Sequence, residues 1–277
     1  MDSGGFFIEV GQRGEDVPEL ILGYEYHYKD GTKSTLEYGR VGDGVYPATK
    51  TVDEGLHVIR LDAKHEINGF VLRDHARYES YDLETTRVDR VPTSVSGATY
   101  DDGHIVDEDA DYHLFSNAVS VEKWFTESGF LGLGYLYQDM SGGNDFGMDQ
   151  FPGRQFWIDG GLPVADSTLN HDKFFQSQVI NVDRDVHMFN LAAMVELTED
   201  LTLSGDLSGT YTRTETVAEL LIIEGHSIGG GLYDIETEDV DADTDVDQTR
   251  YEEGLELRYS GFDNLHLYAE GLSLIHI

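Results

Sequence analysis

The sequence predicts an all-β protein, specifically an antiparallel up-and-down transmembrane β-barrel. Three observations predict this fold class. Apolar and polar residues alternate over long stretches, short turns alternate with long links, and no apolar run approaches the roughly 18 residues that a membrane helix needs. Ordinary strands have about 5–6 residues, whereas membrane strands need about 9–11. About ten strands are visible, and we expect them to be part of a larger barrel.

The strands are predicted as five hairpins with short turns. In the clearest hairpin, residues 187–213, Phe189 and Leu191 begin an alternating apolar set that ends at the turn 198–200, and a second set continues through Leu203. The other turns are predicted at 29–32, 68–69, 126–129 and 260–264. The Asn-Gly pair at 68–69 is a strong hairpin signal.

Four long links separate the hairpins, and we expect them to be external loops of one domain that covers 1–277. They lie at 41–53, 82–111, 140–185 and 214–248. The links hold 29 of the 54 acids and 6 of the 18 bases. A barrel of the outer membrane has this asymmetry, with short turns on the periplasmic side and long loops outside.

Aromatic residues near the strand ends suggest two girdles at the membrane surfaces. Tyr26, Tyr28, Trp124, Phe125 and Tyr259 are predicted near the short turns. The girdle toward the long links would contain Tyr137, Phe189, Tyr211 and Tyr251. The strand propensity of Tyr and Phe explains the same distribution, so both interpretations stay open.

Charge and composition exclude several classes of function. The formal net charge is −36, which argues against a nucleic-acid partner and favours cations, basic partners or simple solubility. The chain has no cysteine, so it has no disulfides, no thiolate metal site and no covalently attached haem. No helical nucleotide-binding fingerprint and no HExxH spacing occur. We expect no enzymatic activity and no cofactor other than loosely bound Ca²⁺.

An acidic run is the main candidate metal site, and loose cation binding is also open for the acidic cluster within 101–111. Carboxylates at alternate positions can converge on a hard cation such as Ca²⁺. The run lacks the glycine and glutamate that define a helix-loop-helix calcium loop, and a solvated external loop is the favoured interpretation. Its members are Asp239, Asp241, Asp243, Asp245 and Asp247.

The polar residues that alternate with the apolar set are predicted to face the lumen of the barrel. Charges of both signs in this set indicate an interior filled by water or by a partner, although they would also simply solvate the wall. The set comprises Glu25, Arg60, Asp62, Lys64, Asn190, Glu196, Asp206, Glu252, Glu256, Arg258, His266 and Glu270.

The first residues carry no secretory signal, since 1–5 lacks a basic region followed by an apolar stretch. An outer-membrane protein needs such a signal. We therefore expect either that the true start lies upstream and the chain is a fragment, or that the membrane interpretation fails.

Two stretches resemble outer-membrane porins of the decahaem-associated family: LGYEYHYKDGTKS at 22–34 and DEGLH at 53–57. The similarity lies in the residue pattern of the strands and in the spacing of the loops, and it extends over most of the chain. It implies a large barrel that sheathes a multihaem cytochrome, which carries the electrons, while the barrel itself binds no haem. Thiol motifs that some members carry near the N-terminus are missing from this sequence.

Three functions follow from these patterns. The leading hypothesis is a porin-like barrel in outer-membrane lipid that passes solutes or sheathes a partner. The second is a surface or adhesion barrel whose acidic loops bind cations or surfaces. The third is a soluble secreted all-β protein, in which the apolar residues are buried between two stacked sheets.

Overall fold

A computed structural model describes the chain except for residues 15–16, 39–44, 96–97, 127, 152–172, 230–231, 263 and 277. The described residues form ten strands, and no helix among them is long and apolar enough to cross a membrane. The strands are β1 (Asp2–Gly14), β2 (Val17–Tyr38), β3 (Val45–Ile67), β4 (Phe70–Val95), β5 (Ala98–Thr126), β6 (Gly129–Phe151), β7 (Lys173–Thr198), β8 (Leu201–Gly229), β9 (Leu232–Phe262) and β10 (Leu265–His276).

All ten strands belong to one sheet, in the order in which they occur along the chain. Each strand pairs antiparallel with its sequence neighbours. The predicted all-β, antiparallel up-and-down arrangement is therefore confirmed. Within the described part of the chain, β1 pairs only with β2 and β10 only with β9, so both strands present an unpaired edge.

Five connections at one end of the sheet have two residues each, and we call this the short-turn end. The turn between β3 and β4 shows how the sequence forms them. Asn68 and Gly69 both have positive φ values, 52° and 76°, as a two-residue turn of type I′ requires. The predicted hairpins β3–β4, β5–β6, β7–β8 and β9–β10 are all present.

The first predicted hairpin differs from the structure. Residues 29–32 do not form a turn but lie inside β2, where Asp30 pairs with Asp53 and Gly31 pairs with Val52. Gly31 has a φ of +124°, which glycine tolerates, and the Asp-Gly pair continues the strand instead of reversing it. The true first hairpin joins β1 to β2, and β1 was not predicted.

The four predicted external loops also differ. Where the structure describes them, the segments 41–53, 82–111, 140–185 and 214–248 are strand. The inner strands, β2 to β9, consequently have 22 to 31 residues, two to three times what a bilayer crossing needs. The unassigned stretch 152–172 lies outside the described residues.

The two faces of the sheet are not equally crowded. Seven described side chains are buried, and six of them lie on the face that also carries Glu25 and Arg60: Ala48, Val52, Val58, Thr85, Val106 and Val186. Ile105, the seventh, lies on the other face. The Glu25 face is therefore the more crowded of the two.

Candidate functional site: a wall with two faces

The polar face, defined as the face that carries Glu25 and Arg60, contains every residue that was predicted to face a lumen. The strand register shows this because directly paired residues share a face. Arg60 pairs with Arg77, Ser208 pairs with both Asn190 and Glu252, and Glu256 pairs with Glu270. All twelve therefore share one surface. That this surface bounds a lumen stays a prediction.

Charged side chains on the polar face form a ladder of ion pairs across β1–β5. Arg60 bridges two neighbouring strands: its Nη2 lies 2.7 Å from Glu9 and its Nη1 lies 3.7 Å from Glu25. Arg73 pairs with Glu122 at 2.6 Å, and His75 contacts Asp62. Such exposed pairs contribute little stability individually.

Glycine at one position makes room for this ladder. Gly23 pairs directly with Arg60, and a Cβ at Gly23 would lie 2.5 Å from Nε of Arg60. The missing side chain lets the Arg60 guanidinium reach across β2 to β1, where it also lies 5.0 Å from the centre of the Phe7 ring.

Basic residues are segregated onto the polar face. Of the fourteen Lys and Arg whose side chains the structure describes, twelve lie on this face, and nine of those twelve lie on β1–β4. Lys123 and Arg213 are the two on the opposite face. On β1–β4 the nine bases of the polar face meet seven described acids, so opposite charges are nearly balanced there. Over the whole polar face the described side chains include twelve bases and eighteen acids.

The opposite face carries an apolar belt, which is the outward-facing apolar part of each strand nearest the short-turn end. Most of its side chains are well exposed, from 37% for Leu72 to 68% for Val10. Exposed apolar patches of more than a few hundred Å² are rare on soluble monomers. The belt runs from Phe6, Ile8 and Val10 on β1 through residues such as Leu22, Ile59, Leu72, Phe115, Leu133, Phe189, Leu207 and Leu255 to Leu267 on β10.

The belt crosses the sheet obliquely. One row of directly paired residues is apolar on β1–β5, where it comprises Ile8, Tyr24, Ile59, Tyr78 and Phe115, and charged on β6–β9, where it comprises Asp139, Asp185, Arg213 and Asp247. On β9 the middle of the belt is Leu255, which lies 255 − 247 = 8 residues nearer the short turns. From β1 to β9 the middle of the belt therefore shifts by eight residues toward the short-turn end over eight strand steps, a descent of about one residue per strand.

Beyond the belt, the described side chains of the same face form an acidic band of nineteen carboxylates against one base, Arg213. Eight of them form a single row of direct partners from Asp2 on β1 to Asp241 on β9, interrupted only by Val179 on β7. No local stretch of sequence reveals this row. The band comprises Asp2, Asp30, Asp53, Asp82, Glu84, Asp107, Asp109, Asp111, Asp139, Asp145, Asp183, Asp185, Glu215, Glu219, Asp239, Asp241, Asp243, Asp245 and Asp247.

The candidate calcium ligands Asp239, Asp241, Asp243, Asp245 and Asp247 lie in this band, at alternate positions of β9. Side chains at alternate strand positions are about 6.6 Å apart, so the five carboxylates extend over roughly 26 Å and do not all reach one cation. Two are already engaged, because Tyr211 donates a hydrogen bond to Asp247 at 2.7 Å and Arg213 lies 3.2 Å from Asp245. Among the described residues no three His, Asp or Glu side chains are grouped to hold a metal ion, and Ca²⁺ binding stays a prediction.

Aromatic residues of the apolar-belt face lie mostly at its boundary with the acidic band. Tyr137, Phe189, Tyr211 and Tyr251 lie at this boundary, as predicted. Tyr26 and Tyr28 also lie there, not at the short turns, because residues 29–32 continue β2. Trp124 lies at the short-turn end but on the polar face, where it packs against Phe130 at 5.1 Å.

Comparisons with known proteins give only distant similarities. No family model matches the chain, and no curated protein matches it. Three solved structures are similar at 9–11% identity: the copper transporter OprC (TM-score 0.30), the ferric-catecholate import receptor Fiu from E. coli K12 (0.33) and the siderophore receptor PiuA from Acinetobacter baumannii (0.31). They cover 99%, 98% and 96% of this chain, which spans 65%, 55% and 59% of theirs. Similarity at this level carries no argument about function.

Proposed function

We propose that the chain forms the wall of a bacterial outer-membrane β-barrel, with the apolar belt in lipid and the polar face toward the interior. The barrel is porin-like: it passes solutes or sheathes a partner, of which a multihaem cytochrome is the one that the sequence resemblance suggests. The observation that carries the proposal is the oblique course of the apolar belt.

The hydrocarbon layer of a bilayer has constant height around a barrel whose strands are tilted. An apolar belt that matches this layer must therefore shift along the strands from one strand to the next. A descent of one residue per strand is about 3.3 Å along the strand for each 4.8 Å across the sheet. The corresponding tilt is about 35°, at the lower limit of the roughly 35–45° found in membrane barrels. The belt therefore becomes level when the strands adopt the tilt that barrel closure requires.

The soluble alternative needs a second layer over the apolar belt. The described residues form one sheet, and none of them covers the belt, which has exposed side chains on every strand from β1 to β10. A sandwich would bury these side chains between two sheets about 10 Å apart. Lipid would remove these exposed apolar side chains from water, which is energetically favourable.

The polar face supports a wet or partner-filled interior. In a dry interior unpaired charges are costly, and this face carries both paired charges, such as Arg73 with Glu122, and Lys64, which is exposed. Water or a polar partner solvates such groups.

Two measurements test the proposed function. The chain purified in detergent should migrate differently on SDS gels before and after boiling, and reconstitution in planar bilayers should give discrete conductance steps if the interior is open. A chain that stays monodisperse in plain buffer would contradict the membrane location. Insertion without conductance would favour the sheath, and a cytochrome that co-purifies with the barrel would support it further.

The acidic band favours a second function, the binding of cations or of charged surfaces outside the cell. Nineteen carboxylates that share one face attract counterions in any case. Specific binding would appear as Ca²⁺ retention in equilibrium dialysis that persists at about 0.5 M salt, where screening removes the nonspecific part.

A further inference from the structure

Three tyrosine–histidine pairs repeat on the apolar-belt face with nearly the same geometry. In each pair the tyrosine hydroxyl lies within hydrogen-bond distance of histidine Nδ1, and the ring centroids are 6.2 Å apart. The O–N distances are 2.8 Å for Tyr24–His57, 3.2 Å for Tyr78–His113 and 2.8 Å for Tyr135–His187.

The strand register shows that the repeat is structural. The three tyrosines pair directly with Ile59, Phe115 and Phe189, and each histidine lies two residues before that partner. Each pair is thus a diagonal contact between two adjacent strands. The connection between these two strands lies at the end of the sheet opposite the short-turn end. The fourth such strand pair, β8–β9, has Gly209 opposite Tyr251 and Thr249 opposite Tyr211, and lacks the motif.

The pairs follow the upper boundary of the apolar belt. Straight across the sheet from His57 lie Ser80, His113, Ser141 and Asp183. His187 is 187 − 183 = 4 residues nearer the short turns, over four strand steps from β3 to β7. This descent of about one residue per strand is the same as that of the belt, so the first and third pairs lie at the same depth. The second pair lies two residues farther from the short-turn end than this descent predicts.

The hydrogen bond leaves one donor free in each pair. When the tyrosine O–H donates to Nδ1, the neutral imidazole carries its own proton on Nε2. Among the described residues, no side chain forms a hydrogen bond with Nε2 of His57, His113 or His187. His57 and His113 are exposed and His187 is half-buried. With this tautomer, each pair presents a single N–H at the boundary between apolar and charged surface.

We propose that the three pairs bind the phosphate groups of membrane lipid headgroups. This inference rests on the proposed function and names a ligand for its wall. At the boundary of a lipid-facing belt, phosphate is the strong hydrogen-bond acceptor that lies at the same depth. A neutral N–H donor binds it with a charge-assisted hydrogen bond. The acidic band directly above offers no competing cationic donor except Arg213 among its described residues.

Native mass spectrometry of the detergent-solubilised chain with added phosphatidylcholine tests the inference. We expect up to three retained lipids that depend on the pairs. Each of His57→Phe, His113→Phe and His187→Phe should remove one of them, because phenylalanine keeps the apolar ring but has no N–H. His65→Phe is the matched control, since His65 lies on the same face and the same strand as His57 and has no tyrosine partner in the described residues.

Diacylglycerol with the same acyl chains is the second control, because it lacks the phosphocholine headgroup, and phosphatidic acid, which keeps the phosphate but lacks the cationic choline, should be retained like phosphatidylcholine. Equal retention of diacylglycerol and phosphatidylcholine, or retention that the three substitutions leave unchanged, overturns the inference while the membrane location stands. A chain that needs no detergent and binds neither lipid contradicts the proposed function itself. The two failures are therefore distinguishable.

Discussion

At the scale of single residues, Arg60 joins three strands. Its guanidinium contacts Glu9 on β1 and Glu25 on β2 from its position on β3. Its side chain is 29% exposed, and its Nε is buried without a partner among the described residues. Among the described strands β1 pairs only with β2, so the contact with Arg60 is an additional link between β1 and the rest of the sheet.

We therefore expect Arg60→Gln to lower the free energy of unfolding by about 1 kcal/mol and to increase amide hydrogen exchange in β1. Arg13→Gln is the control, since Arg13 also joins β1 to β2 through Glu19 but is 76% exposed, and it should change stability by less than about 0.5 kcal/mol. Equal effects of both substitutions would contradict a special role for Arg60.

Two stacked tyrosines on the polar face, beyond the apolar belt, predict a pH dependence. Tyr81 and Tyr112 have ring centroids 5.0 Å apart. Burial first, and then the charge of Glu54, raises the pKa of Tyr81. Burial first, and then Glu79, which accepts a hydrogen bond from the Tyr112 hydroxyl at 3.4 Å, raises the pKa of Tyr112.

A phenol whose pKa is higher in the folded state contributes stability below its unfolded pKa, about 10, and that contribution is lost as pH rises through the folded pKa. The urea midpoint should therefore fall between pH 9 and pH 11, roughly the window that follows from the unfolded value. The double substitution Tyr81→Phe and Tyr112→Phe should flatten this fall. An identical pH profile in the variant would contradict the assignment.

At the scale of elements, the β3–β4 turn depends on a backbone that other residues resist. Gly69 has a φ of +76°, and a Cβ at this position would have no atom within 4 Å, so Gly69→Ala adds strain without a clash. We expect a loss of about 1–2 kcal/mol, measured from urea titrations of the folded band on gels. Gly147→Ala, which has equal space and an ordinary φ, should be neutral within about 0.5 kcal/mol.

Hairpins with clear alternation were predictable, and interrupted strands were not. Residues 187–213 alternate without a break and form β7 and β8. β1 was missed because Phe6, Phe7 and Ile8 are apolar on both faces, which hides the two-residue period. The acidic segment of β9 resembles a loop because aspartate disfavours strands, and only pairing with β8 fixes it as strand.

At the scale of the whole molecule, depth in the bilayer predicts the cost of a charge on the apolar-belt face. Leu133 and Val217 point outward with similar exposure, 41% and 45%, but Leu133 lies within the belt and Val217 within the acidic band. Leu133→Arg should cost about 2–4 kcal/mol and Val217→Arg about 0–1 kcal/mol. Reversible unfolding in lipid vesicles measures both, and equal costs would contradict the oblique belt.

The sequence predicted which residues share the polar face, because alternation is local. It did not predict the acidic band or the tyrosine–histidine pairs. Asp53, Glu84 and Asp109 become neighbours only through the register of three strands, and register depends on pairing over tens of residues. The sequence therefore predicts the face on which each of these residues lies. Its distance from the short-turn end, relative to residues of the other strands, follows only from the register in the structure.

The excess length of the strands has a consequence for where the barrel meets its surroundings. From Tyr211, at the top of the belt, β8 continues to Gly229. At about 3.3 Å per residue and a tilt of about 35°, this extension rises roughly 50 Å above the headgroups. The rim is then several Debye lengths, each about 8–10 Å, from the charges of the bilayer. A solute or surface that arrives at the rim therefore interacts electrostatically with the carboxylates of this chain. Its interaction with the charges of the bilayer is screened at that distance.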